Sequence, residues 1–326
     1  MASHSDMGGS LPTGAEAHAA CLPRSRAAIS PQGMTMTLLA DYGLRTRVWI
    51  PSGAIVTLLG ESGVTPGSAR AAISRLARRG MLESSKQGWH TSYRLTPDAA
   101  MTLAIGGASV AGFPGEAESW DGHWTLITFS LPKRGDGPRR ALRTQLRWLG
   151  FAPLYDGFWV SPLDLPPGAS QTLANIESGT VVIFRARRVE VGGAADRDPL
   201  NAWDLASIDQ QYHAFIDRWG PLLPQVHSGQ VIGAEALQAR TMVMDTYRHF
   251  LVLDPRLPMK LMPPHWPRQQ ARQVFTSIYD GLMETAREHV VETAARFVDG
   301  PLPTISSHTI ADLLTCRVPV NAPETG

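Results

Sequence analysis

The stretch from Thr65 to Gly80, TPGSARAAISRLARRG, constrains the chain more than any other. Thr65 is an N-cap residue type. Pro66 suits the first helical position, where a missing N–H costs nothing, and Gly80 stops the helix. Ser52 can cap an earlier helix that runs through Leu59 and ends at Gly60. So short a link makes the two helices turn sharply on each other. Around this pair, Met34 to Gly43 reads as a helix and Arg47-Val48-Trp49-Ile50 as a short extended run before Pro51. Met81 to Lys86 and Trp89 to Leu95 are extended runs about a Gln87-Gly88 turn, and Thr96-Pro97-Asp98 starts a fourth helix. Over residues 34–107 that is the order of a winged helix-turn-helix.

A helical wheel divides the central helix. Ala69, Ala72, Ile73, Leu76 and Ala77 share one face. Around the other lie Gly67, Arg70, Ala71, Ser74, Arg75 and Arg78, with Thr65 and Ser68 at the start and Arg79 at the edge of the buried face. Small residues let a backbone approach a groove, and arginines fork onto guanine O6/N7 or onto phosphates. An isolated helix of this kind would read as a solvated surface. The preceding helix and the following hairpin turn the reading towards DNA recognition. The hairpin supplies a wing on which Lys86, His90 and Arg94 are expected to reach phosphates or the minor groove. Trp89, beside the turn, has two readings, packing on the hairpin or meeting a sugar, and packing is the expectation.

The 326 residues exceed one small core and suggest two or three domains. Net charge is only +1, so affinity for nucleic acid has to come from local patches. No 18-residue apolar run is available to span a membrane. Cys21 and Cys316 lie near opposite ends, which argues against a structural disulfide or zinc site and fits a reducing cytoplasm. Residues 1–33 lack the features of a signal peptide and are expected to form a flexible tail, as are residues 300–326.

Two further segments follow. In residues 120–190, a strand from His123 to Leu131, a helix from Gly137 to Leu149 and a hairpin about Asp156-Gly157 precede a helix from Ala169 to Glu177 and a strand from Thr180 to Arg185. The order βαββαβ is that of a ferredoxin-like domain, making the whole chain α+β. Its first helix carries Arg139, Arg140, Arg143 and Arg147, either a solvated face or a contact to DNA backbone. Residues 203–299 read as an α-helical domain, with helices from Asp204 to Trp219, Ala234 to Leu253 and Arg268 to Val298 and a proline-dense loop at 254–267.

The three segments, in this order, resemble the PaaX family of transcriptional repressors. In the first the likeness rests on Arg70, Ser74-Arg75-Leu76, Gly80, Leu82 and Tyr93-Arg94-Leu95-Thr96. In the second it rests on Trp120, Trp124, Pro132, 146-LRWLGF-151 and 159-WVSP-162. In the third it rests on 203-WDL-205, Tyr212, Phe215, 247-YRHF-250, 254-DPRLP-258 and the Pro263–Pro267 stretch. The resemblance implies a homodimeric repressor of aromatic catabolism. It would bind a near-palindromic double-stranded operator and leave it when an acyl-CoA binds, phenylacetyl-CoA or another aryl-acyl-CoA. The chain departs from the family in carrying Trp89 after the wing glycine, where an arginine is expected, so wing readout should differ.

A CoA ester needs cations for its phosphates and an apolar slot for its acyl group. Candidates in the third segment are Arg240, Arg248, His249, His265 and Trp266, with Arg185, Arg187 and Arg188 of the second as further options. Arg240 and Arg248, eight residues apart, would alternatively form an intradomain ion pair, with Asp254 as one choice of partner.

The second segment also resembles the small CRISPR-adaptation endoribonucleases, which place a metal-binding aspartate at the end of the first strand. Here that place reads Phe129-Ser130-Leu131-Pro132, with no carboxylate for a hard cation. The ten histidines form no HExxH pattern, and no GxSxG, P-loop or GxGxxG occurs. The expectation is a non-enzyme without cofactor or metal. Two alternatives stand beside it: a nucleic-acid-processing enzyme using the ferredoxin-like domain, and an acyl-CoA-binding protein whose winged helix contacts protein.

Overall fold

Helix signals and strand signals alternate along the first hundred described residues, and the chain folds accordingly. The computed structural model describes residues 30–115, 120–130, 137–155, 157–165, 180–190, 192, 198–301 and 303–315. α1 (Pro31–Gly43), β1 (Ile50–Pro51), α2 (Ser52–Glu61), α3 (Pro66–Arg78), β2 (Leu82–Gln87), β3 (His90–Leu95) and α4 (Pro97–Ala111) form the first module. β1, β3 and β2 make a three-stranded antiparallel sheet in that order, with Ile50 opposite Tyr93 and Leu82 opposite Leu95. The module starts earlier than position 34, because Ser30 caps α1 by accepting from Gly33 N at 3.0 Å. Ser52 is not a cap: it is the first residue of α2, behind Pro51.

β4 (His123–Ser130), α5 (Gly137–Trp148), β5 (Ala152–Tyr155), β6 (Phe158–Ser161) and β7 (Thr180–Arg187) follow. The four strands form one antiparallel sheet in the order β5-β6-β4-β7, so the first strand of the segment lies between the third and the last. Ile127 and Trp159 on one face pack against Leu142 and Leu146 of α5. The other face presents Trp124, Leu154 and Val160 to Trp203, Leu200 and Leu261 of the third segment. Trp124 stacks on Trp203 with ring centroids 6.4 Å apart and meets Trp120 edge-on at 5.5 Å. The predicted helix 169–177 lies outside the described residues, as do the tail 1–29 and residues 316–326.

The third segment is helical: α6 (Leu205–Trp219), α7 (Leu223–His227), α8 (Gly233–Tyr247), α9 (Phe250–Leu253), α10 (Arg268–Gly281) and α11 (Met283–Ala295), followed by α12 (Ile310–Thr315). Asp204 caps α6, as expected, through Ser207 N at 3.0 Å. The long helix predicted from Arg268 to Val298 breaks after Gly281. There Val226 comes so close that an added Cβ would sit 2.7 Å from its Cγ1. Aromatic pairs fill the interior: Tyr212 stacks on Phe250 at 4.1 Å and Tyr247 on Phe275 at 4.0 Å.

The first and third segments do not pack independently of each other. Leu39, Tyr42, Ile55 and Leu59 belong to the same continuous core as Val243, Ile278 and Val290. Gly53 of α2 leaves room for the Phe297 ring, which a Cβ there would strike. His289 Nε2 meets Glu61 Oε2 at 2.9 Å, and Arg272 donates to the carbonyls of Ala111, at 2.7 Å, and Phe113. Nor are residues 303–315 a loose tail: Ile305, Ile310 and Leu313 are buried and α12 packs on α4. The chain gains apolar burial at both junctions, which outweighs ordering a short terminal helix.

A buried polar cluster crosses the junction. Tyr279 O–H of α10 donates to Asp41 of α1 at 2.7 Å, and His308 Nε2 lies 2.9 Å from the same hydroxyl. Arg240 of α8 lies over the Tyr279 ring at 3.7 Å and donates to the carbonyls of Tyr279 and His308. Burial pushes the Asp41 carboxyl above its ordinary range, against the pull of the Arg240 charge. Burial, with Arg240 nearby, drives the His308 imidazole down to about 3.

Candidate nucleic-acid interface

α3 forms as the caps require. Thr65 Oγ1 accepts from Ser68 N at 3.3 Å, Pro66 occupies the first turn, and Gly80 turns the chain at φ +70°. Ala69, Ala72, Ile73 and Leu76 are buried against the core, and Ala77 is half-buried. Thr65, Gly67, Ser68, Arg70, Ala71, Ser74, Arg75, Arg78 and Arg79 are all exposed. The structure thus brings all nine predicted residues of this helix onto one solvent-facing surface. No carboxylate lies on α3, and among the described residues none of its arginines, nor Arg79, makes an ion pair. Arg47, Arg94, Arg268 and Arg287, by contrast, each face an acid. The α3 surface is a field of guanidinium donors without acidic partners among the described residues.

The β2–β3 hairpin stands beside it. Lys86 and His90 are exposed, as predicted, with His90 Nε2 3.5 Å from Asp299. Arg94 is not a free phosphate contact. Its Nε donates to Glu83 at 2.8 Å, and its guanidinium lies 4.2 Å over the Trp49 ring. Arg47, buried behind it, shares the same carboxylate and donates to Leu95 O at 3.2 Å. A carboxylate on the neighbouring strand, directly across at Glu83, claims the charge that sequence reading had left for DNA. Trp89 departs from expectation in the other direction: it is 98% exposed among the described residues.

Between α2, α3 and β3 lies a cleft of about 430 Å³, lined by Gly53, Val56, Thr57, Arg70, Tyr93 and Phe297. Arg70 therefore borders both the basic surface of α3 and a recess floored by the third segment.

The candidate effector residues divide into buried and exposed ones. Arg240 is fully buried in the junction cluster, where its two terminal nitrogens donate to backbone carbonyls, so it is out of reach of a ligand phosphate at the surface. It does not pair with Asp254 either. Asp254 is held by Arg268, at 2.8 Å to each of two oxygens, and by Tyr212 O–H at 2.6 Å. Trp266 is buried edge-on to Tyr212 at 6.1 Å. Arg248 is exposed and bonded to Asp245, and His249 and His265 are exposed. Of the further options, Arg185 is bound to Asp121 at 3.0 Å and to Asp164 at 2.7 Å. No group of three His, Cys, Asp or Glu side chains able to hold a metal occurs among the described residues. None of the described helices is long and apolar enough to cross a membrane.

Comparison with known proteins matches three family models in chain order: PaaX-like protein at residues 30–99, the PaaX protein central Cas2-like domain at 117–198, and the PaaX-like protein C-terminal domain at 203–292. The chain is 28% identical over 276 residues to the transcriptional repressor PaaX of Escherichia coli K12, covering 80% of this chain and 82% of that protein. A solved structure of an uncharacterized protein from Mycobacterium tuberculosis shares the fold, with a TM-score of 0.53 and 21% identity. That match covers 80% of this chain and 96% of the other.

Proposed function

The chain belongs to the PaaX-like family, and on that premise we propose that it is a sequence-specific, DNA-binding transcriptional repressor of a catabolic operon. The observation that carries the reading is the exposed, acid-free face of α3 with its four arginines unpaired among the described residues. In this reading α2 and α3 are a helix-turn-helix, β2–β3 is its wing, and α3 lies in the major groove. Arg75 and Ser74, central on the exposed face, read base edges, while Arg78, Arg79 and Lys86 hold phosphates. Two half-sites on one duplex raise the effective concentration of the second head, so the functional unit is a homodimer on a near-palindromic operator. The protein works in the cytoplasm.

The four-stranded sheet has the strand order of a ferredoxin-like domain, and we assign it no catalysis. The end of its first strand, Phe129-Ser130, offers no carboxylate to a metal. The effector is an acyl-CoA with an aryl group. Arg240 and Trp266 are structural, which leaves exposed Arg248, His249 and His265 as the candidate phosphate contacts. The recognition helix and the third segment share one core, so a ligand bound to the latter can shift head spacing without a flexible relay.

The test is protection of DNA upstream of the protein's own gene, with and without magnesium, followed by titration with aryl-acyl-CoA, the free acid and CoA. A discrete footprint on intact duplex, released by the thioester alone, is expected. Cleavage of the duplex would overturn the repressor reading, and release by the free acid would overturn the CoA requirement.

A further inference from the structure

Among the described residues nothing covers Trp89. The strands around it pair in register up to Gln87 opposite His90, so Gly88 and Trp89 alone make the turn. Gly88 takes the positive φ, +58°, that a two-residue hairpin turn demands at its first central position. Trp89 is the second, carried at the tip of a paired hairpin and 98% exposed. A side chain of this kind typically buries 150–250 Å² when it finds a partner, and here that area is left in water.

Its surroundings say what the partner is. Trp89 is the only large apolar side chain exposed on the hairpin among the described residues. Its described neighbours are Ser84, Lys86, Gly88, His90 and Thr91, a polar and basic collar. A protein surface that buried Trp89 would also have to desolvate Lys86, whereas a nucleic acid offers a flat apolar base beside a phosphate for the lysine. Among the described residues, Asp299 faces the collar, 3.5 Å from His90 Nε2. The wing also borders the basic helix directly: Thr91 of β3 and Arg70 of α3 line one cleft. A duplex lying along α3 passes the tip of the hairpin.

We propose that Trp89 is a DNA-reading residue. It enters the minor groove beside the α3 site and inserts its indole at a base step, unstacking the step and bending the operator. The inference rests on the repressor reading and adds to it a contact that is apolar and a preference that is conformational. Pyrimidine–purine steps unstack most readily, so the operator should carry a TA or CA step where the wing meets it.

The experiment uses the full-length protein on its footprinted operator, with Trp89→Ala and Trp89→Phe compared by binding titration, permuted-fragment bending and fluorescence of 2-aminopurine placed at the wing-proximal step. Trp89→Ala is expected to bind roughly 10- to 100-fold more weakly with an unchanged salt slope. It should also lose the bend and the 2-aminopurine signal, and Trp89→Phe should restore most of each. Replacing the step by an A-tract should weaken wild type and leave Trp89→Ala nearly unaffected. Wild-type affinity, bend and signal in Trp89→Ala would overturn the inference while leaving the repressor reading intact. Loss of the dimer in sedimentation of Trp89→Ala would overturn it too, by making Trp89 a protein contact. Failure of wild type to bind any duplex would overturn both.

Discussion

Replacing Arg240 by methionine should cost fold stability rather than effector response. The guanidinium is fully buried, caps two backbone carbonyls and lies on the Tyr279 ring. It also supplies the positive charge that keeps buried Asp41 tolerable as a carboxylate. Removing one member of such a set generally costs about 3–5 kcal/mol, because the other charge stays buried and uncompensated. Here the cost has a ceiling. Asp41 can escape by taking a proton, and from a reference of 3.8 that costs about 4 kcal/mol at pH 7 at 1.36 kcal/mol per unit. The same escape is cheaper at pH 5, so the electrostatic part of the deficit should shrink there. Adding Asp41→Asn removes the stranded charge and should recover half or more of the loss at pH 7. Urea melts of wild type, both single variants and the double variant at both pH values provide the test. An Arg240→Met midpoint equal to that of wild type, or no rescue by Asp41→Asn, would refute the reasoning. Folded Arg240→Met that fails to respond to effector would return Arg240 to the binding site.

Three further outcomes are expected. Arg268→Met strands the Asp254 carboxylate and should destabilise the protein by about 3–5 kcal/mol, read as a drop in melting temperature and as faster proteolysis in 255–267. His308 has a folded pKa of about 3, below its reference of 6.5, so the unfolded chain takes the proton first. The stability it gives is complete above pH 6.5 and lost as pH falls towards 3, about 2 kcal/mol of it by pH 5. Asp41, shifted upward, works in the opposite sense, and the difference between wild type and His308→Gln isolates the imidazole. Arg94→Ala should loosen the hairpin by about 1–2 kcal/mol, seen in melting, while leaving the salt dependence of DNA binding unchanged, because Glu83 already holds its charge.

What was legible in the sequence was local. The Thr65 cap, the Pro66 start and the Gly80 stop define α3 within a few residues, and the alternation of its small and basic face needs only a wheel. The strands around Gly157 carry their own turn signal, and so does the hairpin, though its turn is Gly88-Trp89 rather than the expected Gln87-Gly88, because Gln87 still pairs with His90. What was not legible depends on distant partners. Arg240 and Arg248 look alike on a helical wheel, yet one meets carbonyls from α10 and the tail, the other a surface aspartate. Arg94 seemed free until Glu83 lay opposite it. Gly281 is an ordinary helical glycine until Val226 closes on it. The burial of Ile305, Ile310 and Leu313 has no periodic signal, because so short a helix is held by α4 rather than by its own pattern. Trp89 departs from the packing expectation because it occupies the turn itself rather than a strand.

The central claim is that the exposed face of α3 reads base sequence. The most direct measurement is the affinity of wild type and Arg75→Ala for the footprinted operator and for a scrambled duplex, each across a range of salt. The account predicts that Arg75→Ala loses about 1–3 kcal/mol on the operator alone, with relaxed preference at one base position in each half-site. Equal operator affinity of the two proteins, or an equal loss on both duplexes, would contradict it.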